Sequence, residues 1–139
     1  THYRAQLVQN PDIVVSNAYS KASEATIAAW PAVIMREGGT LVIVCNTPTG
    51  QVSHYVHGRW GVKRVGGNLW LPPTRILDRA GKIIILSKYP EKQHWLEMAP
   101  PEKTVKLKTW EEVLEELKNT HKGRPRVAVF PDATIQKPF

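Results

Sequence analysis

Two groups of hydrogen-bonding side chains follow the two most apolar runs near the start of the chain. The first group is Asn17, Tyr19, Ser20 and Lys21, and the second is Asn46, Thr47, Gln51 and His54. Their amides, hydroxyls, imidazole and ammonium group suit hydrogen bonding to a small substrate and orientation of an anion. These residues are therefore predicted to bind substrate, and no residue is assigned a role in proton abstraction.

The apolar runs before these groups are predicted to be buried β-strands. Residues 13–15 and 41–44 are rich in Val and Ile, and a helical segment separates them. Further strands are predicted at 82–86 and 126–130. Strands that alternate with helical or connecting segments favour a single three-layer α/β domain over residues 1–139. Its sheet would be mainly parallel, with about four strands flanked by helices.

Polar residues are expected to gather at one edge of this sheet. The carboxyl ends of parallel strands lie along the same edge, and ligands of open α/β sheets bind there. The residues expected at that edge are Asn17, Tyr19, Ser20, Asn46, Thr47, Ser87, Tyr89 and Asp132. Ordinary turn and cap residues would give the same pattern, and the sequence leaves both interpretations open.

The predicted helices carry start and stop signals. Ser20 or Ser23 is expected to cap the first helix, and Pro31 is expected to kink it or make it restart. The glycines at 38–39 would end that helix. A second helix is predicted to begin at a capping box in residues 109–112, where a threonine precedes a glutamate by three positions.

Composition and charge narrow the class of protein. The formal net charge is +7, and residues 61–139 hold fifteen basic and nine acidic residues, a local balance of +6. The basic residues, including those at 103–108, are scattered, so a solvated surface is favoured and nucleic acid is not an expected partner.

Cys45 is the single cysteine and is predicted to pack in the core. No apolar run reaches the roughly 20 residues of a membrane span, so a soluble cytoplasmic protein without a membrane partner is expected.

Common cofactor motifs are missing after the first strand. Residues 16–21 read Ser-Asn-Ala-Tyr-Ser-Lys where a dinucleotide site would have Gly-x-Gly-x-x-Gly, and no P-loop is present. The start of the first helix, together with Lys21, could still attract a carboxylate or a phosphate. His54 and His57 would share a helical face, but two imidazoles make an incomplete metal site, so no metal site is predicted. His121 is expected to be an exposed bystander.

Several short motifs resemble one family. They are Asn17-Ala18-Tyr19, the Gly38-Gly39 turn, Gly50-Gln51, His54-Tyr55 with Gly58, and Pro131-Asp132-Ala133. Together they resemble the C-terminal domain of nickel-dependent lactate racemases, and in particular an uncharacterised branch of that family. The resemblance implies two domains around a cleft. The catalytic histidines and a nickel-pincer nucleotide would belong to the preceding domain, and no cofactor is expected in this chain.

The same resemblance implies a function for the whole chain. Residues 1–139 would be the C-terminal domain excised from a longer isomerase, and they would close over a small carboxylate substrate against their own N-terminal domain. The isolated domain would be inactive. Ile27 and Trp30 stand where the family carries a Gln and a Lys that face the substrate, so lactate itself is not favoured. The alternative function is a non-catalytic binding module for a small anion or a nucleotide.

Overall fold

The structure is a computed structural model that describes residues 8–48, 50, 77–89 and 100–136, without the side chains of residues 23–27. The strands are β1 (Ile13–Asn17), β2 (Gly39–Val44), β3 (Ala80–Leu86), β4 (Thr104–Leu107) and β5 (Val127–Phe130). The helices are a long 3₁₀ helix (Tyr19–Ile34), a short 3₁₀ helix (Pro101–Lys103) and α1 (Trp110–Thr120).

The five strands form one sheet in the order β4-β3-β2-β1-β5, and every pair of neighbours is parallel. This confirms the predicted α/β class and its parallel sheet. The sequence predicted about four strands and missed β4. That strand lies at the edge of the sheet with its side chains half-buried or exposed, as Lys106 is. Lys106 and the lysines that flank the strand, Lys103 and Lys108, therefore gave the pattern of a charged surface segment.

Helices cover both faces of the sheet, which gives the three layers. The long 3₁₀ helix packs Ala28, Ala32 and Met35 against one face, where Leu41 and Ile83 are fully buried. Helix α1 packs against the other face through Val113, whose cluster includes Val42 and Ile84. Two layers of helix are needed because a parallel sheet is apolar on both faces and must be shielded on each.

The first helix differs from the expected α-helix. It has 3₁₀ hydrogen bonding over all of its 16 residues, and Pro31 lies within it without a restart. Its N-cap is Ala18, with no side-chain cap among the described residues, so the predicted helix start at Ser20 or Ser23 is wrong. Buried residues recur at every third position, as in Ala29, Ala32 and Met35. Three residues per turn keep such positions on one side of a 3₁₀ helix.

Helix α1 begins at the predicted capping box. The side chain of Thr109 accepts from the Glu112 N–H at 3.2 Å, and Glu112 accepts from the Thr109 N–H at 3.0 Å. Glu112 also accepts from the Lys108 N–H at 2.7 Å. These backbone hydrogen bonds, that from Lys108 first, hold the pKa of Glu112 below its ordinary value. The helix ends at Thr120 with His121 as C-cap.

A tight turn sets the start of β2. Gly38 has a φ of +73°, a left-handed conformation that favours glycine. At Gly39 a Cβ atom would lie 2.6 Å from Met35 Cγ and 2.9 Å from the carbonyl oxygen of Asp12. The turn therefore needs glycine at both positions, for conformation at Gly38 and for space at Gly39.

Candidate functional site

The carboxyl ends of all five strands lie along one edge of the sheet, which we call the carboxyl edge. Backbone hydrogen bonds continue past the strand ends, from Ala18 N–H to the Val44 carbonyl at 2.9 Å and from Cys45 N–H to the Leu86 carbonyl at 3.0 Å. The Ala133 N–H donates to the Asn17 carbonyl at 2.9 Å. The segments after β1, β2, β3 and β5 are thus held side by side, as the sequence predicted.

The order of the strands changes direction at β1. From β1 the chain proceeds to β2, β3 and β4 in one direction across the sheet, whereas β5 lies on the other side of β1. In open α/β sheets the crevice beside such a reversal is where ligands bind. The end of β1 is therefore the strongest position for a ligand on this edge.

Asn17 shapes the chain at the end of β1. Its side-chain carbonyl accepts from the Tyr19 N–H at 3.0 Å, and Tyr19 has a φ of 36°. This local turn leaves the Tyr19 side chain 68% exposed, and Ser20 and Lys21 are exposed beside it. A hydroxyl, an aromatic ring and an ammonium group thus lie together at the start of the long 3₁₀ helix.

Asn46 joins the ends of two neighbouring strands. Its side-chain carbonyl accepts from the Lys88 N–H at 2.9 Å. The Lys88 ammonium lies 5.1 Å from the centroid of the Tyr89 ring, a cation–π distance. Thr47 is half-buried next to Asn46. This part of the edge therefore combines an amide, a hydroxyl and a positive charge.

Asp132 is a turn residue after β5. Its carboxylate accepts from the Thr134 hydroxyl at 2.6 Å and from the Thr134 N–H at 3.1 Å, while its own N–H donates to the Gln136 side chain at 2.9 Å. Such contacts are those of an Asx turn. An ordinary turn therefore accounts for the contacts of Asp132. It also accounts for the hydrogen bond between the Asn17 side chain and the Tyr19 N–H.

The predicted substrate-binding residues divide into two sets. Asn17 ends β1, and Tyr19, Ser20 and Lys21 follow it. Asn46 and Thr47 follow β2, the neighbouring strand in the sheet. Gln51 and His54 lie outside the described residues, and so does the side chain of Ile27. Trp30 is 53% exposed, so it is not a core residue. Cys45 is buried, as predicted.

Ser16 was not predicted to be special. It lies on β1 opposite Ile43 and Phe130, its side chain is fully buried, and its hydroxyl has no hydrogen-bond partner among the described residues. A buried hydroxyl without a partner costs about 1–3 kcal/mol, so it is uncommon. The one sequence signal for Ser16 is that a polar residue lies between Val15 and Asn17, near the end of a predicted strand.

A second polar cluster lies at the opposite, amino edge of the sheet. Asp12 pairs with the Arg36 guanidinium at 2.5 Å and accepts from the Arg126 N–H at 2.7 Å. These two groups, the Arg126 N–H first, hold the pKa of Asp12 below its ordinary value. Arg36 follows the long 3₁₀ helix and Arg126 precedes β5, so Asp12 connects three segments of the chain.

His121 belongs to this cluster, which corrects the prediction of an exposed bystander. Its Nε2 lies 2.8 Å from the hydroxyl of Thr40, a fully buried residue of β2. Burial, followed by the positive charge of Arg36, lowers the pKa of His121, while Asp12 opposes the shift. Lys82 adds contacts to Glu116 and Thr120 of α1. This edge fixes α1 to the sheet.

The described residues do not supply a metal-binding set. No three His, Cys, Asp or Glu side chains come together among them as ligands could. Within the same residues no helix is long and apolar enough to cross a bilayer.

A solved structure has a similar fold. The lactate racemase apoprotein from Thermoanaerobacterium thermosaccharolyticum matches 96% of this chain with a TM-score of 0.61 and 16% sequence identity. The match covers 37% of the length of that protein. No family model matches the sequence, and a search of curated proteins found no match. The chain thus has a lactate racemase-like α/β fold, and the identity is too low to carry an activity across.

Proposed function

We propose that the chain is the substrate-closing C-terminal domain of a lactate racemase-like protein, a 2-hydroxy acid racemase or epimerase of the cytoplasm. A preceding domain would supply the acid and base groups and the nickel-pincer nucleotide, which moves the hydride of the carbinol carbon. Two findings support this proposal. The fold resembles part of lactate racemase, and the chain is matched to little more than a third of that protein.

The observation that carries the proposal is the reversal of strand order at β1. In open α/β sheets such a reversal marks the ligand-binding end of the sheet, which supports a role for residues 17–21 after β1. The pairing of β1 with β2 brings residues 45–47 beside them. The Lys21 ammonium and the start of the long 3₁₀ helix favour a carboxylate, because both are positive. Asn46 and Ser20 would hold the substrate by hydrogen bonds. These contacts orient the substrate and exclude water, and they transfer no proton.

Trp30 bears on the choice of substrate. The resemblance sets Trp30, whose side chain is exposed, where the family carries a Lys that faces lactate, and an indole cannot pair with a carboxylate. An apolar side chain in that position favours a larger or less polar 2-hydroxy acid. Phenyllactate is thus a better probe than lactate.

The test is an amide NMR titration of the 139-residue chain with lactate, phenyllactate, inorganic phosphate and a nucleoside monophosphate. We expect phenyllactate to shift the amides of residues 17–21 and 46–47. Lys21→Ala and Asn46→Ala should each weaken binding about tenfold, the effect of one charge-assisted hydrogen bond. Lys122→Ala, which removes an exposed lysine at the amino edge, is the matched control.

The outcomes separate the two functions that the sequence left open. Shifts with phosphate or nucleotide but not with 2-hydroxy acids would favour the small-anion binding module. Unchanged spectra with every probe would count against both. Turnover of lactate by the isolated chain would refute the assignment to a closing domain without catalytic groups.

A further inference from the structure

An apolar strip runs along the α1 face of the sheet. It consists of Ile13 and Val15 of β1 with Val127 and Val129 of β5, which are direct neighbours in the parallel register. Ile13 and Val15 are buried at 3% and 9% exposure, whereas Val127 is 43% exposed and Val129 is 58% exposed. On the other face of β5, Ala128 and Phe130 are only 3% and 1% exposed. Strand β5 is therefore covered on one face and open on the other.

The β5 side of the strip is open because the cluster around Val113 of α1 does not include Val127 and Val129. That cluster contains Ile13 and Val15 of β1 with Ile84 and Leu86 of β3, and His121 is held to Thr40 of β2. Neighbouring strands lie about 5 Å apart, and a helix with its side chains is about 10–12 Å wide. A helix lying beside α1 would therefore cover the open face of β5.

Helix α1 supplies the side wall of this space. The strip and the wall enclose a groove of about 400 Å³, with Trp110, Leu114 and Leu117 on the α1 side. Trp110 is 40% exposed and Leu114 is 41% exposed. Floor and wall are almost wholly apolar over the middle of the groove, and the removal of such a surface from water favours association.

The amino-edge end of the groove is positively charged. Lys118 lines it, and Lys122, Arg124 and Arg126 are exposed nearby. The carboxylate of Asp12 is engaged by Arg36 and the Arg126 N–H. A second copy of this chain, with its net charge of +7, would bring further positive charge to the groove. An occupant with acidic residues at that end is favoured instead.

We propose that the groove is a docking site for an amphipathic helix of a protein partner, with an apolar stripe and acidic residues in its first turn. The stripe covers the strip and the α1 wall, in the helix-in-groove mode of recognition. The acidic first turn lies over Lys118 and Arg126, where its charges also suit the positive N-terminus of their own helix. This site is separate from the carboxyl edge and does not depend on the proposed function.

The test uses synthetic helical peptides of about four turns, roughly 14 residues, as probes. One carries a leucine stripe and three Glu in its first turn, and another carries the same stripe with three Lys. Calorimetry should show the acidic peptide binding at least about tenfold more tightly than the basic one. Lys118→Glu with Arg126→Glu should reverse that preference.

Two substitutions test the location. Val129→Asp should weaken the acidic peptide at least about tenfold, because a charge would be buried in the strip. Ile135→Asp is the matched control, since Ile135 is 51% exposed outside the groove, and it should change nothing. Leu114→Gln gives a second test on α1. Circular dichroism checks that each variant folds.

Three results would overturn the proposal. They are no binding of either peptide, equal binding of both, or equal losses with Val129→Asp and Ile135→Asp. Analytical ultracentrifugation, which measures the oligomeric state of the chain, gives one more test. A dimer of the unmodified chain that Val129→Asp converts to a monomer would assign the groove to a second copy and remove the partner helix.

Discussion

The two edges of the sheet use their polar residues in different ways. At the carboxyl edge, Asn17 and Asp132 bond to residues two positions away, while Asn46 reaches 42 positions to Lys88 through one exposed hydrogen bond. At the amino edge, Thr40 and His121 are 81 positions apart, and Asp12 and Arg126 are 114 apart. Long-range contacts hold a fold together, whereas local ones shape a surface. The amino edge should therefore govern stability, and the carboxyl edge should govern binding.

The largest expected effect is at the amino edge. Gly39→Ala would place a methyl group against Met35 and the Asp12 carbonyl, and overpacking of this kind costs about 1–3 kcal/mol. Denaturant unfolding should show that loss. Gly38→Ala is the control, because it meets no atom within 4 Å and changes only the left-handed backbone; it should cost about 1 kcal/mol. An equal loss for both would mean that space at Gly39 does not matter.

The contact between His121 and Thr40 should have the next largest effect. His121→Ala leaves the fully buried Thr40 hydroxyl without its partner, at a cost of about 1–3 kcal/mol. Thr40→Val in the His121→Ala background should then cost little more, because the unpaired hydroxyl is gone. Additive losses in this double-mutant cycle would show that the two side chains are not coupled.

The same histidine predicts a pH dependence. Because the pKa of His121 is lowered in the folded chain from its ordinary 6.5, protonation favours the unfolded state. Its contribution to stability is complete above pH 6.5 and falls as the pH drops through the lowered folded pKa. Unfolding free energies measured from pH 8 to pH 5 should decrease, and His121→Gln should flatten the curve. An equally steep curve for that variant would assign the effect to other groups.

Replacement of Ser16 should not lower the stability of the fold, in contrast to replacement of His121. Ser16→Ala removes a buried hydroxyl that has no hydrogen-bond partner in the part of the chain that the structure describes, so the free energy of unfolding should stay the same or rise by up to about 1 kcal/mol. Denaturant unfolding again gives the measurement. Destabilisation by more than that amount would show that the hydroxyl has a partner in solution.

The smallest effect on stability is expected at the carboxyl edge itself. Asn46→Ala removes one exposed hydrogen bond to the Lys88 N–H, which should cost about 0.5 kcal/mol or less. Thermal unfolding would measure it. A loss as large as that of His121→Ala would end the distinction between the two edges.

Local sequence signals explain what could be predicted. The apolar runs gave four of the five strands, and the capping box of α1 followed from the spacing of Thr109 and Glu112. Asn17 and Asn46 could be placed at one edge because each follows a strand. The pairing of His121 with Thr40 left no such signal, since it depends on how α1 lies across the sheet. The sequence likewise did not indicate the 3₁₀ form of the first helix, because alanine is compatible with both an α-helix and a 3₁₀ helix.

Strand β5 lies at one lateral edge of the sheet, and this position carries a risk of aggregation. An open strand edge can pair with the edge of another molecule and start aggregation. Here Pro125 and Pro131 bracket a strand of only four residues, and neither proline has an N–H to offer an incoming strand. Arg124 and Arg126 add repulsion between copies. The chain can thus keep an apolar surface open for a helix while discouraging the growth of fibrils.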